Sequence, residues 1–157
     1  MRDESTKQAA QEFLATKLAE ENQKNEDKLN KQTAEARSLN VWKSFRDAIF
    51  GQCTEWNAIT QEETLTCKET PLGDLRIWCA ATSKHITVHF DSKYLIVTIK
   101  NAGRDAGQKD AILSIEGYAT ESGRDARLVR NNEPVNVPVL ILSELRILTG
   151  IGAQRTS

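Results

Sequence analysis

The stretch HITVHFDSKYLIVTIK, residues 85–100, decides the fold. Ile86, Val88 and Phe90 alternate with His85, Thr87 and His89. After Asp91-Ser92-Lys93, the apolar residues Leu95, Val97 and Ile99 alternate with Tyr94, Ile96, Thr98 and Lys100. A period of two places each apolar set on one face of a strand. A two-residue hairpin at Ser92-Lys93 would pair Phe90 with Leu95, Val88 with Val97 and Ile86 with Ile99. A slip by one residue would turn every apolar side chain outward, so the buried face is strongly specified.

The same period extends over residues 65–118. Upstream, Leu75, Ile77 and Cys79 alternate with Arg76, Trp78 and Ala80, and Leu65 and Cys67 alternate with Thr64, Thr66 and Lys68. Pro71-Leu72-Gly73-Asp74 joins these runs as a turn, and the expected register sets Cys67 opposite Cys79 on the buried face. Downstream, Leu113 and Ile115 alternate with Ser114 and Glu116, and a short strand is expected near residues 126–130. Gly-Arg-Asp-Ala occurs at residues 103–106 and 123–126, each time where a turn is expected. Four to six strands on short connections imply an antiparallel meander, because parallel neighbours need long crossovers.

Helices flank the strands. Residues 5–37 are rich in Ala, Glu, Lys and Gln and lack Pro and Gly, which favours helix. Asp3–Lys7, Glu20–Lys24 and Asp27–Lys31 have the acid-first i,i+4 order that supports an exposed helix. Ala9, Ala10, Phe13, Leu14 and Leu18 share a stripe, which then fails through EENQKNEDK at residues 20–28. A long zipper needs an unbroken seam, so the reading is a charged, solvated arm over residues 1–37. The domain then runs over residues 38–157. Its first helix begins near Ser38, with Leu39, Trp42, Phe45, Ile49 and Phe50 facing the core; Gly51 either ends it or marks a break beyond which Glu55, Trp56 and Ile59 extend it. The segment NVPVLILSELRILTGIG is expected to be a helix capped by Asn136, with Pro138 in its first turn and Gly150 at its end. A strand over residues 137–142 is the competing reading. The expected fold class is therefore α+β: helical arm and helix, antiparallel meander, and a C-terminal helix packed on one sheet face.

Composition bounds the function. With 21 basic and 22 acidic residues the net charge is −1, which supplies no field to attract nucleic acid. The first residues lack the apolar core of a signal peptide, and the apolar run at residues 137–142 is far too short to span a bilayer. Three cysteines without CxxC spacing argue against a disulfide framework. A cytoplasmic location is the expectation.

The sequence holds little chemistry. His85 and His89 would chelate one metal on a helix, but on a strand they sit about 13 Å apart and read as ordinary polar side chains. Cys53, Cys67 and Cys79 lack a cationic cluster to activate them and read as inert buried thiols. Residues 103–109 are one residue short of a phosphate loop and precede a strand instead of a helix, so a flexible hairpin loop is expected. No cofactor and no metal are expected.

Two surfaces remain. The arm stripe Phe13, Leu14 and Leu18 is one; its bland alternative is a solvated tether. The outer sheet face is the other, carrying Trp78, His85, His89, Tyr94, Glu116 and Tyr118, which reads as a packing surface or plain solvated face. The favoured function is a non-catalytic protein-interaction or assembly module, with a protein partner or a homodimer. The alternative is a small-ligand or catalytic site around His85, His89, Tyr94 and Glu116.

Overall fold

The computed structural model describes residues 4–151. Helix α1 (Glu4–Thr60) leads into seven strands, β1 (Leu65–Glu69), β2 (Leu75–Cys79), β3 (Lys84–Asp91), β4 (Ile96–Asn101), β5 (Ala111–Thr120), β6 (Gly123–Arg130) and β7 (Glu133–Pro134). Helix α2 (Val137–Leu148) follows. The strands pair antiparallel in chain order as one sheet, so the fold is α+β with a meander, as the alternation implied. The two-residue β7 takes the sheet beyond the expected four to six strands.

Helix α1 is one continuous element. The reading of an arm followed by a new helix at Ser38 is corrected, and of the two readings at Gly51 the extension through Glu55, Trp56 and Ile59 is the one found. Gly51 costs about 1 kcal/mol relative to Ala inside a helix. Ile49 and Cys53, both buried, hold the helix to the core on either side of it. The helix stops at Thr60 because Gln61 turns left-handed (φ 56). The Asn57 side chain then binds both the N–H and the carbonyl of Leu65 (2.9 and 2.8 Å), fixing the start of β1. Asp3 of the Asp3–Lys7 pair lies outside the described residues. Asp27 accepts from Gln23 (2.8 Å) instead of closing on Lys31.

Both helices cover one sheet face. Leu65, Ile77, Val88, Val97 and Leu113 are buried there against Phe45, Ile49, Ile141, Leu145 and Leu148. Each such side chain contributes roughly 1.5–3 kcal/mol of burial against chain entropy. Trp42 stacks on Phe90 at 5.6 Å. Leu39, expected in this core, is 54 % exposed because it lies on the side of α1 turned from the sheet.

Parity held while register did not. Val88 faces Ile99 and Phe90 faces Val97, each shifted by two residues from the expected pairing. The Asp91 carboxylate accepts from the N–H groups of Lys93 and Tyr94 (3.0 and 3.1 Å), which winds a four-residue loop. Leu95 leaves it left-handed (φ 56) and half-buried instead of pairing in the strand. The first hairpin shifts likewise: Thr70 and Asp74 close its loop (2.7 Å), so Cys67 faces Ile77 and Cys79 faces Leu65. The second Gly-Arg-Asp-Ala is strand, not turn, because Glu121-Ser122 makes the tight turn and β6 starts at Gly123.

Helix α2 is helical throughout residues 137–148, which removes the strand alternative. Asn136 caps it by accepting from the Val139 N–H (3.3 Å), and Gly150 follows its end at φ 81. The loop after β4 is less free than expected. The Asn101 side chain donates to the Glu144 carbonyl and accepts from the Gly103 N–H (both 2.9 Å). Arg104 forms a nearly buried ion pair with Glu144. A Cβ at Gly103 would overlap the Ile147 carbonyl, so glycine lets the loop lie on α2.

Candidate functional site

Helix α1 divides by what it touches. Every residue from 4 to 25 is exposed. At 1.5 Å per residue this arm projects about 33 Å from the sheet. Contact begins at Glu26, which pairs with Arg124 of β6, and Asn30, whose side chain accepts from the same guanidinium (2.6 Å). Beneath them α1 lies directly on β5, where a Cβ at Gly117 would overlap the Asn30 carbonyl. The arm thus leaves the sheet just past this arginine clamp and glycine.

The stripe stands clear of the rest of the chain. Phe13, Leu14 and Leu18 are 67, 64 and 59 % exposed. Leu29 (43 %) and Leu39 (54 %) are exposed as well, further along the same helix.

The outer sheet face gathers Trp78 and His85, which lie directly opposite each other on β2 and β3. His89 faces Thr98 and bonds through Nδ1 to Asp74 (2.6 Å), while Trp78 remains 41 % exposed. Tyr118 is half-buried beneath the Arg127 guanidinium, 4.0 Å from its ring centre. Tyr94, expected on this face, sits in the β3–β4 loop with its ring near the Lys93 ammonium (5.2 Å).

These groups do not converge. His89 is level with Thr98 and Ile112, so Glu116 lies four residues further along, more than about 13 Å away. His85 lies further still in the opposite direction. Tyr94 and Glu116 do border one groove of about 770 Å³. It opens where β4 stops pairing at Ser114 and leaves the rest of β5 without a strand on that side. Neither histidine lines it. Among the described residues no cluster of three or more His, Cys, Asp or Glu has the placement to hold a metal.

The thiols show one arrangement the alternation did not signal. Cys67 interacts with Cys53 of α1, not with Cys79, which faces Leu65. That interaction lowers the Cys53 pKa and raises that of Cys67; burial raises both, and Glu69 raises Cys67 further. The three cysteines are free.

Compared with known proteins, the chain matches no family model, no curated protein and no solved structure. No helix of the described residues is long and apolar enough to cross a membrane.

Proposed function

We propose that the protein is a non-catalytic interaction or assembly module whose N-terminal arm binds a protein partner through Phe13, Leu14 and Leu18. One observation carries this reading: three large apolar side chains, each more than half exposed, stand on the part of α1, residues 4–25, that its own sheet does not touch. A solvated tether needs no such stripe. The small-ligand or catalytic alternative draws no comparable support, since His85, His89 and Glu116 are strung along the sheet rather than gathered.

The test compares the full chain with the variant Phe13→Ser/Leu14→Ser/Leu18→Ser by hydrodynamic size, purified and after mixing with extract of the source cells. All three positions lie beyond the last contact with the sheet, so the fold is unaffected. The reading requires a larger species with wild type that the variant loses. Equal sizes for both proteins under both conditions would refute it.

A further inference from the structure

Helix α1 and strand β1 run in opposite directions, and two contacts tie them together. Beside the connecting turn, the Asn57 side chain binds the Leu65 backbone (2.9 and 2.8 Å). At the far end of the strand, the Arg46 guanidinium binds the Glu69 carboxylate (2.6 Å). Cys53 and Cys67 lie between these ties. Cys53 stands four residues before Asn57, about 6 Å back along α1. Cys67 stands two residues after Leu65, about 7 Å along β1 and on the same face. The two steps match, so the thiols meet where the helix crosses the strand, and each shifts the pKa of the other.

Burial separates the three cysteines. Cys53 is 3 % exposed and Cys79 is fully buried, whereas Cys67 is half-buried on the last strand of the sheet. Cys79 faces Leu65 and is therefore a diagonal neighbour of Cys67, roughly 7–8 Å away. Both stand out from one sheet face instead of pointing at each other, which a disulfide does not bridge. Cys53 approaches Cys67 from the opposing layer.

We propose that Cys53 and Cys67 form a site of reversible oxidation, where hydrogen peroxide closes a disulfide that staples edge strand β1 to α1. One sulfur, as thiolate, attacks a peroxide oxygen; the O–O bond breaks and hydroxide leaves. The second sulfur then displaces hydroxide from the sulfenic acid so formed, and the Sγ–Sγ bond closes. The two thiol protons turn both hydroxides into water. The sulfur pair loses two electrons and the peroxide takes up two. The Cys67 thiol favours a thiolate at Cys53, the form this chemistry needs. Cys67 opens the pair to a small oxidant at the sheet edge, and a dithiol restores both cysteines by exchange. The bond pins β1, which has a strand beside it on one side only.

Peptide mapping of the folded full chain after hydrogen peroxide, with remaining thiols alkylated in urea, tests the site. Free thiols should fall from three to one, with Cys53 and Cys67 in one linked peptide and Cys79 alkylated. Dithiothreitol should restore all three thiols. Cys79→Ser should form the link to the same extent as wild type, and Cys53→Ser should form none. Three thiols surviving peroxide, a link that includes Cys79, or a Cys53–Cys67 link formed only in unfolded protein would overturn the inference.

Discussion

Replacing Val88 by Asp should unfold the domain, whereas replacing its neighbour Thr87 by Asp should leave it folded. Val88 is 1 % exposed in the third strand, between Leu75 and Ile99. Losing its burial removes roughly 1.5–3 kcal/mol. The new carboxylate would sit among aliphatic side chains of both helices with no cation beside it, which costs several kcal/mol more whether it stays charged or takes up a proton. The sum reaches about 5 kcal/mol or more, comparable to the whole stability of a domain this size. Thr87 points the other way, directly between Arg76 and Lys100 on the adjoining strands. A carboxylate there gains two cationic neighbours, and the expected change is within about 0.5 kcal/mol. Urea unfolding followed by circular dichroism reads both variants. Equal midpoints for the two, or a stable Val88→Asp protein, would refute the assignment of the buried face.

Two further substitutions test how the ends of the sheet are held. Gly117→Ala should destabilise by about 1–3 kcal/mol, because the new methyl forces the α1 backbone at Asn30 off β5. Calorimetric melting checks it, and an unchanged melting temperature would show that α1 does not lie where it is drawn. Arg104→Ala should cost about 3–5 kcal/mol by leaving the Glu144 carboxylate buried without its cation. Adding Glu144→Leu to that variant should recover most of the loss, and failure to recover would show that the pair is not the source.

The buried face was legible because its period is two and each strand from β1 to β6 carries at least two apolar residues in phase. Register was not, because parity tolerates a shift by two and only the turns decide it. The Asp91 carboxylate wrapped around Lys93 and Tyr94, and Leu95 held left-handed, leave no apolar pattern to read. The continuity of α1 was hidden by the polar run at residues 20–28 and by Gly51. Both cost little locally beside the contacts of Ile49, Cys53 and Arg124 with the rest of the fold. The Arg104–Glu144 pair did leave a trace: Glu144 stands three residues after Ile141, on the stripe that α2 buries. The arm stripe was readable since nothing in the chain competes for it, but Leu39, exposed on the same helix, was mistaken for core. Composition alone could not tell which side of a helix meets a sheet.

Amide hydrogen exchange of the wild-type chain bears most directly on the free arm. Residues 34–53 should be protected through their packing on the sheet. Residues 4–25, exposed throughout, should exchange far faster. Protection of residues 4–25 equal to that of residues 34–53 would contradict the account.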